Sequence, residues 1–156
     1  VDKIFISSAL WDMDVQKLFK NIQKVLKPNG EIITNLPSIV LGEEKGFIYE
    51  IESFFKKEKD IQKLYKRIPL KKLEKIIKEN NLIFSKKEEY SFNLSKQNIK
   101  QFFDLLTYRY PFIFFSDKIP YEERYEETRK IFNKFLKNIP NNGLEEEGIV
   151  LIIKRN

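Results

Sequence analysis

Histidine and cysteine are both absent from the 156 residues. With them go the usual neutral-pH general base, the thiolate nucleophile, disulfides and the commonest metal sites. Most hydrolytic mechanisms are awkward without those groups. The residues that keep chemical promise are small, polar or aromatic, and they stand where periodic segments end. Ser7-Ser8-Ala9 closes a short apolar run, and Trp11, the only tryptophan, follows it. Pro37-Ser38 closes a second apolar run. Tyr108, Tyr110 and Phe112 lie in an aromatic-rich stretch broken by Pro111. Hydroxyls at a strand end can hydrogen-bond a polar ligand, and aromatic rings can wall an apolar or planar one. Each has a plainer alternative. Ser7 and Ser8 can simply end a strand, and Trp11 can pack against a helix. A strand-ending Pro37 needs no function, and the aromatic stretch can be a satellite core between two helices. Asp12 reads as a helix cap rather than a base.

These positions depend on the elements around them. Asp2–Ile6 is apolar and β-rich. Val15, Leu18, Phe19, Ile22, Val25 and Leu26 form one stripe at helical period, with Asp12 or Asp14 as the N-cap. Pro28-Asn29-Gly30 stops that helix. Glu31–Leu36 is a second strand, ended by Pro37. Strand, helix, tight turn and strand make a βαβ unit, whose strands run parallel with a right-handed crossover. Beyond it, Phe47, Ile48, Ile51, Phe54 and Phe55 suggest a helix, with a charged stretch over Lys56–Lys66. Pro69 suits the first position of another helix carrying Leu70, Leu73, Ile76 and Ile77, closed by Asn80-Asn81. Leu82–Leu94 alternates as a strand. Ser95 caps a helix with Ile99, Phe102, Phe103 and Leu106, and Pro120 opens a last one. After the Asn141-Asn142-Gly143 turn, Gly148–Lys154 is a continuous apolar run, the pattern of a strand covered on both faces.

Composition bounds the partners. The chain carries 29 basic and 23 acidic residues, a net charge of +6. Yet 24 of the bases are Lys and only 5 are Arg, whose bidentate fork serves base and phosphate recognition. The aromatics fall on apolar helix faces rather than along a basic stripe, so a nucleic-acid partner is not expected. No apolar run approaches the roughly 20 residues of a membrane span, and no stretch has the form of an export signal, which leaves the cytoplasm as the expected compartment. Length and composition fit one globular domain over residues 1–156, with a helical insertion at 95–140.

The segment D-K-I-F-I-S-S-A-L-W-D, the amphipathic helix ending V-L-K-P-N-G, and E-I-I-T-N-L-P resemble the second half of a class I S-adenosylmethionine-dependent methyltransferase. In that family the fourth strand ends in a small or polar residue near the cofactor, and the next helix ends in a leucine-lysine-proline-glycine-glycine turn. The match covers about a quarter of the chain, Asp2–Pro37. It implies an α/β fold: a partial Rossmann-like sheet holding strands four to seven of the family, the last pair antiparallel, flanked by helices. It implies S-adenosylmethionine as cofactor, touched by Ser7, Ser8 and Ala9. A small-molecule methyl acceptor would then be lined by Trp11, Pro37, Ser38, Tyr108, Tyr110 and Phe112. No catalytic side chain and no metal are implied, because methyl transfer from a sulfonium needs alignment above all.

One departure is harmless and one is not. Asn29 replaces a glycine in a turn that Asn tolerates. The glycine-rich cofactor loop and the acidic ribose-binding residue do not occur at all; five glycines are present and none forms G-x-G. The resemblance therefore implies that Val1 marks a break point and that the chain is the C-terminal part of a domain. Either a missing N-terminal half or a partner chain would then adjoin the first strand. The competing reading is a non-catalytic, methyltransferase-like interaction module that pairs with a partner through that strand's open edge.

Overall fold

The computed structural model describes residues 1–7, 9–58, 66–109 and 119–156, excepting the side chains of 106–109. It places β1 (Lys3–Ser7) and β2 (Glu31–Pro37) side by side and parallel, with Ile4 opposite Ile32 and Ser7 opposite Asn35. The helix α1 (Val15–Val25) joins them, burying Val15, Phe19 and Ile22 from the stripe seen in the sequence. Burial of each such side chain contributes about 1.5–3 kcal/mol. Asp14 is the N-cap: its Oδ1 accepts the Lys17 N–H at 3.0 Å, satisfying one first-turn donor. At the other end the Arg155 guanidinium donates to the Gln23 and Leu26 carbonyls, both at 2.5 Å, a cation on the negative end of the helix.

On its other side β2 pairs antiparallel with β4 (Leu144–Arg155), Ile32 opposite Ile153 and Pro37 opposite Gly148. Beyond β4 lies β3 (Leu82–Leu94), so the strand order is β1-β2-β4-β3. The Asn156 N–H donates to the Asn81 carbonyl at 3.0 Å, while the Tyr90 phenol overlies Gly148. Those two pairings run in opposite senses, so β3 and β4 are antiparallel. The α/β expectation is met, with a parallel first pair, an antiparallel last pair and flanking helices.

The described residues divide into two compact units, Val1–Glu44 with Tyr65–Ser91 and Glu147–Asn156, and Lys45–Leu64 with Phe92–Glu146. In the first unit α1 packs against α3 (Leu70–Glu79), where Gln16 Nε2 donates to Glu79 Oε2 at 3.2 Å. Asn81 takes the left-handed conformation (φ 54°) that ends α3, a role Asn fills at little cost.

In the second unit α2 (Phe47–Glu58), α4 (Lys96–Arg109) and α5 (Tyr121–Asn138) share an aromatic core. Phe103 stacks on Phe132 with centroids 3.8 Å apart, and Phe55 meets Phe132 edge-on at 4.9 Å. Phe102 and Phe103 thus serve the core of this unit. Gly143 (φ 89°) is obligatory at the turn into β4, because a Cβ there would stand 1.9 Å from the Leu94 carbonyl oxygen.

Three details differ from the sequence pattern. β4 begins at Leu144 rather than Gly148, since the run Glu145-Glu146-Glu147 hides the strand. Glu146 is buried (6% exposed) because its Oε2 accepts the Ile48 N–H at 3.2 Å, in the first turn of α2. β4 buries Ile149, Leu151 and Ile153 but only half-buries Val150 and Ile152, so its two faces are unequal rather than equally covered. Pro69 is the N-cap of α3 rather than its first residue.

Candidate functional site

In open α/β sheets, ligands bind beyond the carboxyl ends of parallel strands. Among the described residues the parallel pair is β1 and β2, whose carboxyl ends are level: Ser7 stands opposite Asn35. A buried side-chain bond ties this end together. Thr34 Oγ1 donates to the Ile6 carbonyl at 2.8 Å, and Thr34 is 1% exposed. The strand ends are therefore held in register by more than the ladder alone.

After β1 the chain turns tightly. Ala9 is half-buried and precedes a single 3₁₀ turn, Leu10–Asp12, closed by the Asp12 N–H on the Ala9 carbonyl at 3.1 Å. Leu10 and Trp11 are both buried, which anchors the turn against the first unit's interior. Trp11 is 6% exposed, so its ring can serve a ligand only as a wall and not as a protruding contact. After β2 the turn is equally restrained. The Ser38 N–H donates to Glu147 O, the Glu43 N–H to Ser38 O, and the Val40 N–H to Pro37 O, at 2.9, 3.0 and 3.0 Å. Pro37 and Ser38 are buried there.

The structure thus brings Ser7, Ala9, Trp11, Pro37 and Ser38 to the carboxyl end of one parallel pair. Ser8 lies outside the described residues, as do Tyr110 and Phe112. Tyr108 belongs to α4, with its side chain outside the description. Asn35 and Thr34 join this rim without having been singled out from sequence. A signal was available for both, since two polar residues interrupt an otherwise apolar strand.

A cavity of about 140 Å³ lies between α1's first turn, α3 and the segment leading into α3. Asp14, Gln16, Lys66, Arg67 and Lys72 are its polar lining, and Ile68 and Ile76 are among its apolar walls. A second cavity, of about 170 Å³, lies in the other unit, where Glu50, Ser53, Lys57, Phe135 and Asn138 line it in part. Among the described residues no group of three or more His, Cys, Asp or Glu could hold a metal ion, and no helix is long and apolar enough to cross a membrane. An electrostatic perturbation stands at the opposite end of β2. There a hydrogen bond from Lys154, then its charge and that of Lys3, hold the Glu31 carboxyl below the ordinary glutamate range. Lys3 and Lys154 both pair with Glu31 at that end of the sheet.

No protein-family model matches this sequence, and no curated protein matches it. Solved structures do align. One is a Haemonchus contortus phosphoethanolamine N-methyltransferase 2 with phosphomonomethylethanolamine and S-adenosylhomocysteine, at 18% identity and a TM-score of 0.44. The alignment takes in 99% of this chain and 33% of that one. A second structure of that enzyme, with S-adenosyl-L-methionine, aligns at 16% identity and a TM-score of 0.42. A Galdieria sulphuraria protein described as a sarcosine dimethylglycine methyltransferase aligns at 16% and 0.45, over 97% of this chain and 52% of its own. The chain spans between a third and about half the length of these structures.

Proposed function

We propose that these residues form the C-terminal part of an S-adenosylmethionine-dependent methyltransferase domain that acts on a small-molecule acceptor. The observation that carries the reading is the level, parallel pairing of β1 and β2. It sets Ser7 beside Asn35, with a buried turn behind each strand end. The resemblance over Asp2–Pro37 supports the same assignment for the same residues.

The residues on this rim fit part of the cofactor and not all of it. Ser7 offers a hydroxyl at this rim, and the resemblance alone adds Ser8 and Ala9 beside it. The glycine-rich segment that would face the rest of the molecule is not among the 156 residues. In this reading a further stretch of polypeptide, covalently continuous or from a partner, adjoins β1 and completes the site. The bound cofactor would supply a methyl group already activated by the positive sulfur. The chain's own part is to align and to exclude water. Thr34 fixes the spacing of the strand ends, Leu10 and Trp11 seal the turn after β1, and Pro37 and Ser38 border the acceptor side. Tyr108, Tyr110 and Phe112 stay acceptor-side candidates on the resemblance alone. Proximity of this kind can supply about 7–11 kcal/mol of a barrier without any base or metal. A cytoplasmic setting goes with this chemistry.

One observation favours a second reading. Phe5 is 70% exposed on β1, the end strand of the sheet order. An apolar edge of that kind invites strand pairing, as a non-catalytic interaction module would use. Photo-crosslinking separates the two. Ultraviolet irradiation of the full-length polypeptide with tritiated S-adenosylmethionine should label the tryptic peptide Ile4–Lys17. Label confined to other peptides, or none that unlabelled cofactor competes away, would remove the enzyme reading and leave the module.

A further inference from the structure

The outer edge of β1 carries hydrogen-bonding groups that methyl transfer does not use. β1 is the end strand in the order β1-β2-β4-β3. The Asp2 and Ile6 carbonyls point inward to β2, accepting the Glu31 N–H at 2.9 Å and the Thr34 hydroxyl at 2.8 Å. Main-chain groups alternate in direction along a strand, so those of Lys3, Phe5 and Ser7 point outward. Among the described residues no strand lies beyond them. All three residues are exposed, with the Phe5 ring at the centre of the edge. Proline and charge are what usually blunt such an edge. β1 has no proline, and its one charge, Lys3, is drawn back to Glu31 at 3.9 Å.

The strand's own symmetry selects the occupant. Lys3–Ser7 is centred on Phe5. A two-fold axis through Phe5 lays a second copy of β1 antiparallel to the first. Phe5 then meets its own counterpart, and Lys3 meets the counterpart of Ser7. Each outward pair exchanges both main-chain hydrogen bonds, about six in all. The two Phe5 rings form an aromatic cross-strand pair, each Lys3 lies against a hydroxyl, and no like charges stand opposite each other. On the other face Ile4, half-buried in the single chain, gains the counterpart of Ile6 as a neighbour. A parallel, in-register pairing would instead set Lys3 against Lys3, which repulsion disfavours. We propose that the occupant of this edge is a second copy of the chain, joined as an antiparallel two-fold dimer with Phe5 on the axis. This rests on the interaction-module reading given above and supplies its partner. It also bears on the enzyme reading: the polypeptide that completes a donor site needs the same edge, so self-pairing and completion exclude one another. A five-residue strand offers less than the ~1,600 Å² of a standard interface, which sets the dissociation constant on the order of 10–100 µM.

Sedimentation equilibrium of the 156-residue chain from about 1 to 500 µM should give a mass that rises from monomer toward dimer. A monomer throughout overturns the proposal. Phe5→Lys sets two ammonium groups on the axis and should weaken association at least about tenfold. Phe5 is exposed, so urea unfolding read through Trp11 should stay unchanged in that variant. Undiminished association would overturn the assignment to β1. The chain has no cysteine, so single thiols report the register. Across a hydrogen-bonded antiparallel pair the Cα atoms stand about 5.5 Å apart, within reach of a disulfide. Phe5→Cys should therefore form a disulfide dimer under diamide. Lys3→Cys, whose own counterpart lies roughly 14 Å away, should link only when mixed with Ser7→Cys. Lys3→Cys linking to itself would overturn the antiparallel register. Amide exchange at Lys3, Phe5 and Ser7 separates the two levels, and it should slow as the dimer forms. Fast exchange in a chain that stays monomeric sinks the second-copy proposal alone, since the edge is open to another protein. Slow exchange in a monomer sinks the module reading with it, because the edge is then already covered.

Discussion

Thr34→Val removes a hydroxyl that ties the carboxyl ends of β1 and β2 while keeping the side-chain shape. Thr34 Oγ1 donates to the Ile6 carbonyl at 2.8 Å in a buried setting. Valine leaves that carbonyl facing a methyl group, and an acceptor stranded in an apolar site costs about 1–3 kcal/mol. For a chain of this size the same loss lowers the melting temperature by roughly 2–12 °C. Urea unfolding followed through Trp11, which is buried and unique, reads the change directly. Stability alone does not identify the cause, so amide exchange at Ser7 and Asn35 is the companion measurement. Thr34→Ser keeps the hydroxyl and loses a buried methyl, which costs about 0.8 kcal/mol. The serine variant should lose stability yet keep slow exchange at those two amides, whereas the valine variant should lose both. A valine variant within ~0.3 kcal/mol of wild type, or exchange that accelerates equally in the two variants, would refute the tie between the strand ends.

Three further outcomes follow from the same geometry. Gly143→Ala should be among the most destabilising single changes, by about 2–4 kcal/mol, because its φ is positive and the new Cβ would meet the Leu94 carbonyl at 1.9 Å; chemical denaturation measures it, and a loss under 0.5 kcal/mol would mean that the turn adapts. Phe103→Ala opens a void against Phe132 and should cost about 3–5 kcal/mol, read as a shift of the urea midpoint at constant slope. Glu31 titrates below the ordinary glutamate range because Lys154 hydrogen-bonds its carboxylate. A lowered folded pKa gives stability that is present above the unfolded value, about 4.3, and is lost as pH falls through the folded one. Lys154→Met should raise the Glu31 midpoint toward that value in a carboxyl-carbon NMR titration, and an unmoved midpoint would assign the effect to another group.

Much of the fold is legible in the residues, and the exceptions have physical reasons. The stripe from Val15 to Leu26, the Pro28-Asn29-Gly30 stop and the apolar flanks specify a βαβ unit through local spacing alone. Ser95 at the head of α4 is equally local, accepting the Asn98 N–H. The start of β4 was not legible, because Glu145-Glu146-Glu147 reads as solvated until Ile48, 98 positions away, turns out to bond Glu146. The candidate site divides in the same way. Ser7 and Ser38 announce themselves as polar strand ends, while Asn35 becomes interesting only once the register sets it beside Ser7. The cavity beside α1 is illegible for a stronger reason: Lys66 and Lys72 are two lysines among 24, and only the approach of α1 to α3 brings them to one concavity.

Calorimetric titration of S-adenosylhomocysteine addresses the central claim most directly. The claim is that the rim at Ser7 is part, and only part, of a methyl-donor site. The 156-residue chain by itself should give no saturable heat, and the same chain together with the polypeptide, continuous or separate, that supplies the glycine-rich segment should bind at micromolar concentration. Micromolar binding to the 156 residues alone would show that the donor site lies elsewhere in them, and an absence of binding to both would end the methyl-transfer account.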